Sequence, residues 1–353
     1  MPTPFFHPQF GGKITANDLR KYEQSPNWKK GRFRNRSYTK MMHAKPTDFP
    51  KLLKKQLFDT EFRMPKEPIK IEPFEGMDFD MVQDTPRFAW FGHAVALLKI
   101  AGKNLLIDPM FGDDSSPIGP VRTKRFSENT LSIIDRLPPI DAILFTHDHY
   151  DHLDYSSIKK LRDKVDKYFV ALGASRHLER WKIPKRQITE FDWWDNLDFE
   201  GVKITFTPSR HFSGRGLTDR FKCLWGGWVF QSSEHQIYWT GDGGYDTHFQ
   251  EVGEKFGPFD WIFSECGQYN QSWYQTHMNP EESVQAALDS KAKIAIPYHW
   301  GGFALALHTW KDPVERFVAE AKRKNQNICT PKIGEIVTLG DEPKENNWFV
   351  NLE

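Results

Sequence analysis

Cysteine is scarce: Cys223, Cys266 and Cys329 stand far apart, without the paired spacing of a disulfide framework or a structural zinc knot. Their scatter points to a reducing, cytoplasmic setting. Long apolar runs are missing too. No stretch approaches the roughly 18 residues of a membrane span, and the opening MPTPFFHPQFGGK has neither the basic start nor the apolar core of a secretory leader. Net charge is also nearly absent. The 48 Lys and Arg against 47 Asp and Glu leave +1, so no global field steers the chain to nucleic acid, and attraction to an anionic surface would need a local patch.

What is present suits a packed enzyme. With 39% of its 353 residues apolar and 14% aromatic, the chain can bury a large core, which excludes a disordered protein. Residues 1–80 are rich in Lys, Pro, Phe and Asn, whereas β-branched and aromatic runs begin at Arg87. The expected division is an N-terminal extension over 1–80 and a catalytic domain over 81–353. Within the extension, Phe49, Leu52, Leu53 and Leu57 share a helical face opposite Lys51, Lys54 and Lys55. That segment is a candidate for packing on the main domain, for peripheral membrane contact or for a homodimer contact. The basic run Lys29-Lys30-Gly31-Arg32-Phe33-Arg34-Asn35-Arg36 reads as a solvated arm, with phosphate contact as the alternative.

Downstream, period-2 and apolar runs predict strands at 87–91, 95–100, 104–107, 142–145, 169–172, 202–207, 228–231, 236–240, 261–264 and 294–296. Helical patterns fall at 155–165, 174–180, 246–255, 280–290 and 312–324. The mixture predicts an α/β protein with sheets covered by helices.

Residues 145–154 read FTHDHYDHLD, three histidines and three aspartates directly behind the apolar run Ala142–Phe145. A strand that ends near Thr146 would aim His147, Asp148, His149, Tyr150, Asp151 and His152 from one loop. Unliganded, such a loop clusters charge without purpose. Imidazole and carboxylate donors without a thiolate suit zinc, with iron or manganese as alternatives, in an open site with room for water. Two ions need more ligands than one loop supplies. His211 in TPSRHFSG, Asp242 in WTGDGGY and His299 in IPYHWGG each follow an apolar run by one short step.

With these motifs the chain resembles the metallo-β-lactamase superfamily, whose αββα sandwich carries an H-x-H-x-D-H loop, a later His, a Gly-Asp and a final His. The resemblance implies that His147, His149 and His211 hold one metal and that Asp151, His152 and His299 hold the other, with Asp242 bridging. Asp151 would thereby take part in catalysis. Asp108 in LLIDPMF matches the family's early strand-end Asp and would orient a ligand histidine. His93 in WFGHA reads as a hydrogen-bonded histidine behind the ligands. Two bridged divalent ions imply hydrolysis.

Longer stretches, RFAWFGHA, LPPIDAILFTHDHYDHLDY, EFDWW, FGPFDW and HWGGFALA, are similar to the N-acylphosphatidylethanolamine-hydrolysing phospholipases D over roughly residues 85–310. That resemblance implies cleavage of a phospholipid phosphodiester to phosphatidic acid and an N-acylethanolamine, with substrate contacts at Tyr150 and His277. His277 would also serve catalysis, by hydrogen-bonding a phosphate oxygen or protonating the leaving alkoxide, although it could instead cap the helix that starts near Pro280. Thr276 between Gln275 and His277 departs from that family's pattern by one residue. Trp193, Trp194, Trp225, Trp228, Trp273 and Tyr274 would suit an acyl-chain groove or a core. A lactonase or soluble phosphodiesterase of the same superfamily is the alternative enzyme, and a metal- or lipid-sensing protein the alternative from another class.

Overall fold

Mostly buried apolar runs assemble into two sheets, in a computed structural model that describes residues 7–43, 46–48, 50–51, 54–55, 62–82, 85–116, 122–216, 218–342 and 347–352. A short hairpin, β1 (Trp28–Lys29) and β2 (Arg32–Phe33), precedes them. The first sheet is built from β3 (Arg87–Trp90), β4 (Ala96–Ile100), β5 (Lys103–Ile107), β6 (Ala142–Phe145), β7 (Tyr168–Ala171) and β8 (Ile188–Phe191). The second contains β9 (Asn196–Phe199), β10 (Val202–Pro208), β11 (Gly226–Gln231), β12 (Gln236–Trp239), β13 (Phe259–Glu265), β14 (Ala292–Tyr298) and β15 (Asn327–Ile328). Strand β16 (Ile336–Thr338) returns to pair with β3, giving the orders β16-β3-β4-β5-β6-β7-β8 and β15-β14-β13-β12-β11-β10-β9. Each sheet begins antiparallel and becomes parallel, from β5 to β8 and from β12 to β15.

The sheets meet through aromatic side chains. Phe88 on β3 makes edge contacts with Trp261 and Phe263 on β13, at ring-centre distances of 5.0 and 4.9 Å, and Phe191 on β8 meets Trp228 on β11 at 5.1 Å. Helices Tyr155–Leu161, Ser175–Arg180, His248–Phe256, Pro280–Asp289 and Asp312–Lys324 complete an αββα sandwich, close to where periodicity predicts them. Periodicity does not predict β1, β2, β8, β9, β15 and β16. All six are two to four residues long, too short for an alternation of buried and exposed positions to stand out. Helix Ala16–Tyr22 was also unforeseen, although Thr15 and Asp18 form the reciprocal capping box that marks its start.

The described part of the extension packs against the sandwich. Tyr22, Phe33, Phe74 and Phe79 are buried in the same core as the sheets. Phe49, Leu52, Leu53 and Leu57, which define the expected amphipathic face, lie outside the described residues. No helix among the described residues is long and apolar enough to cross a membrane.

Because Phe88 joins the two sheets, Phe88→Ala should lower stability by about 3–5 kcal/mol, the usual cost of emptying a buried phenylalanine site. Urea unfolding measures this, and a change under about 1 kcal/mol would mean the sheet interface repacks around the gap.

Candidate metal centre

Strand direction brings the polar loops to one rim. β5 and β6 are parallel, as are β12, β13 and β14, so their C-terminal ends point the same way. β10 is antiparallel to β11, and β11 to β12, which returns β10 to the direction of β12. β3 is related to β5 through β4 in the same manner. His93, Asp108, His147–His152, His211, Asp242 and His299 all follow these strand ends. The rims of the two sheets are laced at His93, whose N–H donates to the Trp300 carbonyl at 2.8 Å while its own carbonyl accepts from the N–H of His299 at 3.0 Å. Three of these residues have left-handed backbones, with φ of 42° at Asp108, 54° at His93 and 69° at His299. Such conformations persist only where the surroundings enforce them.

The imidazoles converge in two groups. His147 Nε2 lies 2.8 Å from His149 Nδ1, which lies 3.2 Å from His211 Nε2. On the other side His152 Nε2 is 3.2 Å from His299 Nε2, and each is 3.1 Å from Asp242 Oδ2. Asp151 Oδ2 lies 3.4 Å from His299 Nε2 and 3.7 Å from His152 Nε2, and Asp242 Oδ2 reaches within 3.9 Å of His211 Nε2. The seven residues expected as ligands are thus adjacent, with Asp242 between the groups. His93 joins them, its Nε2 being 2.8 Å from Asp151 Oδ2.

Hydrogen bonds behind the cluster decide which nitrogen faces inward. Asp108 accepts from the Thr146 backbone N–H at 2.9 Å, from the Thr146 hydroxyl at 2.7 Å and from His152 Nδ1 at 2.8 Å, leaving His152 Nε2 for the centre. His211 Nδ1 donates to the Thr276 carbonyl at 2.8 Å, which leaves its Nε2 inward as well. Arg215 runs beneath the loop and donates to the carbonyls of Asp148 and Leu153, and to Gln9 of the extension. Asp148 accepts from Gly214 N–H and pairs with His177 and Arg176, so it serves the scaffold of the loop.

These donors suit divalent cations. Two imidazole nitrogens at 2.8 Å need a proton or a cation between them, and Asp242 Oδ1 is buried with no hydrogen-bond partner among the described residues. Burial holds His147 and His211 well below the ordinary histidine pKa and His149 at about 4, which keeps the imidazoles neutral as metal binding requires. Burial also opposes charge on His152 and His299. There Asp242 and Asp151 prevail, raising His152 well above its ordinary value and His299 to about 10. The carboxylates therefore create a field that favours positive charge between them.

A cavity of about 300 Å³ opens on this cluster, walled by His149, Asp151, Asp242, His277 and His299 and by Met41, Met42, Phe212, Trp273 and Leu305, with Arg220 and Gln268 at its edges. His277 bonds Glu265 through Nδ1. Glu265 also accepts from Gly243 N–H at 3.0 Å and lies 3.5 Å from His299 Nδ1, a buried carboxylate that no sequence motif flagged. Asn279 and Glu282 form the capping box of helix Pro280–Asp289, so the capping alternative for His277 falls away. Tyr150 is not among the residues that line the cavity. Its hydroxyl donates to the Arg215 carbonyl, and its ring lies 4.0 Å from that guanidinium. Of the six aromatics considered for an acyl groove, Trp273 lines the cavity among the described residues, while Trp193, Trp225 and Trp228 are buried core.

Fold and site together define a two-sheet αββα sandwich with a His/Asp cluster on its rim that could hold metal. Residues 103–300 match the family model described as the beta-lactamase superfamily domain. An uncharacterized protein of Mycobacterium tuberculosis is 36% identical over 93% of this chain and 88% of its own length. The N-acyl-phosphatidylethanolamine-hydrolyzing phospholipase D 1 of Caenorhabditis elegans is 30% identical over 71% of this chain and 75% of that protein. Among solved structures, Igni18, a metallo hydrolase from Ignicoccus hospitalis, matches with a TM-score of 0.57 at 20% identity, over 72% of this chain and 98% of that one. The chain belongs to the metallo-β-lactamase superfamily and is a metal-dependent hydrolase of that fold.

Asp108 should matter to the metal without touching it. Asp108→Ala is expected to weaken zinc binding about 10- to 100-fold in chelator competition, the usual cost of losing the partner of a ligand imidazole. An unchanged affinity would mean that Thr146 alone orients the ring.

Proposed function

We propose that the chain is a dinuclear metal hydrolase that cleaves a phosphodiester, with N-acylphosphatidylethanolamine as substrate and phosphatidic acid and N-acylethanolamine as products. One observation carries this reading: a cavity with an apolar wall of Met41, Met42, Phe212, Trp273 and Leu305 opens directly on the His/Asp cluster. The similarity to the phospholipase D of Caenorhabditis elegans supports the choice of substrate.

In this proposal His147, His149 and His211 hold one ion, Asp151, His152 and His299 hold the second, and Asp242 lies between them. Zinc is the first choice, and iron or manganese also suits these donors. Bound divalent ions would supply Lewis acidity and an activated water at neutral pH. Asp108 orients His152. His277, tied to Glu265 through Nδ1, presents its other ring nitrogen toward the cavity and delivers a proton or a hydrogen bond to the leaving alkoxide. Tyr150 braces the metal loop through Arg215 and acts on substrate indirectly. Residues 81–353 form the catalytic domain. The extension over 1–80 supplies Met41 and Met42 to the cavity and carries the surface for peripheral contact with the cytoplasmic face of a membrane or with a second copy.

The purified protein should contain about two transition-metal ions per chain, read by metal analysis. Asp151→Asn or His299→Ala should remove part of that metal and lower turnover by roughly two orders of magnitude or more. Near-normal rates in both variants would refute the two-metal mechanism. On a panel of phospholipid vesicles, short phosphodiesters and lactones, turnover in oxygen-18 water should place the label in phosphatidic acid, since water attacks phosphorus. Label in the ethanolamine, release of free fatty acid, or preference for a lactone would overturn the substrate assignment and leave the metal site untouched.

A further inference from the structure

Two guanidiniums share one aromatic ring beside the catalytic cavity. The Cζ atoms of Arg32 and Arg220 lie 5.5 and 5.4 Å from the ring centre of Phe221, and Arg220 also lies 5.0 Å from that of Phe212. Arg220 lines the catalytic cavity. Arg32, Arg34 and Phe221 line an adjoining groove of about 400 Å³, and Met41 lines both. Arg34 reaches the Lys29 carbonyl through its Nε. None of these three arginines has a carboxylate partner among the described residues, whereas neighbouring Arg36 pairs with Glu251. Lys29, Lys30 and Lys40 are exposed nearby in sequence, and Tyr38, part of the groove wall, is 86% exposed. The chain's net charge is only +1, so this is a local excess of positive charge, and no ion pair among the described residues offsets it at Arg32, Arg34 or Arg220. Like charges gathered about one ring repel one another, and an anion between them would turn that repulsion into attraction. Guanidinium groups match phosphate oxygens two at a time, which a lysine cannot do.

We propose that Arg32, Arg34 and Arg220 form a phosphate-binding subsite beside the catalytic cavity, separate from the metal cluster and continuous with it past Met41. The ligand is a phosphate anion, and its placement next to an apolar-walled cavity favours the headgroup of an anionic phospholipid, with Tyr38 entering the interface. That identity rests on the phospholipid reading of the catalytic site. The subsite gives a use to Arg32 and Arg34 of the basic run, whereas Arg36 pairs with Glu251 and Asn35 holds the His211 backbone.

Binding without turnover tests it. The full-length protein is sedimented with phosphatidylcholine vesicles that contain or lack phosphatidic acid, and the same protein is titrated with inorganic phosphate. Phosphatidic acid should strengthen vesicle binding, and rising salt should weaken it. Arg220→Met, which keeps the apolar stem against Phe212, and the double change Arg32→Ser with Arg34→Ser should each cost about tenfold in affinity, the scale of one charged hydrogen bond. Melting curves check that both variants fold. Binding of inorganic phosphate that both variants lose, without vesicle binding, assigns the same subsite to a soluble phosphate. Equal binding to both vesicle types with no phosphate binding, or affinities unchanged in both variants, would overturn the subsite. Stronger retention of single-stranded RNA than of anionic vesicles would overturn it as well. Because no arm requires catalysis, failure here leaves the hydrolase reading standing. Lack of phosphodiester turnover would in turn leave the subsite standing.

Discussion

A largely buried rim that gathers five imidazoles and two carboxylates depends on partners for most of their polar atoms, and this requirement shapes the rest of the molecule. His147, His152, His211, Asp242 and His299 are all at most 2% exposed. Burying a charge unpaired costs several kcal/mol, so the ring nitrogens that face away from the centre need acceptors and the carboxylates need cations or donors. Asp108 and the Thr146 and Thr276 oxygens meet the first need for His152, His147 and His211, each from a segment that follows a different strand, while His299 Nδ1 lies 3.5 Å from the Glu265 carboxylate. The second is met in part by His152 and His299, beside which, against the cost of burial, Asp242 and Asp151 favour the protonated form.

The same requirement accounts for backbone that would otherwise be costly. Asp242 follows Gly241, at φ +66°, where an added Cβ would stand 2.1 Å from the Gly226 carbonyl oxygen. A side chain at that turn would push the Gly-Asp segment away from β11 and carry Asp242 out of reach of both imidazole groups. Asp108 and His299 take left-handed conformations without being glycines. Their side chains contribute to the cluster, and neighbouring strands fix their backbones, so the strain sits where a small displacement would uncouple ligand from ligand.

The parts of this design that were legible in the sequence share a local signature. The H-x-H-x-D-H loop, and His211, Asp242 and His299, each sit a short step past an apolar run, and strand ends are readable from periodicity. Glu265 was not legible because it ends a fully buried strand, where a single carboxylate reads like any strand terminus. Its contacts with His277 and Gly243 arise only when β13 lies beside β12. Tyr150 sits inside the motif and so looks like a group that touches substrate. The side chain leaves the loop on the opposite side, where burial against Arg215 and Phe10 is available. The tryptophans near the site divide in the same way, since composition is silent on whether an indole packs between sheets or walls a cavity.

The extension is less separable from the hydrolase than its composition implies. Asn35 accepts from the His211 N–H and donates to the His211 carbonyl, clamping both backbone groups of a candidate ligand. Gln9 accepts from Arg215, whose guanidinium also spans the carbonyls of Asp148 and Leu153 on either side of the metal loop. Met41 and Met42 wall the cavity. A segment that only tethered the domain to a surface would not need to grip the backbone at His211 or underpin residues 148–153. The polar contacts at Gln9 and Asn35 and the apolar contacts at Met41 and Met42 therefore tie the geometry of the metal rim to the same stretch of chain that carries the arginine-rich groove.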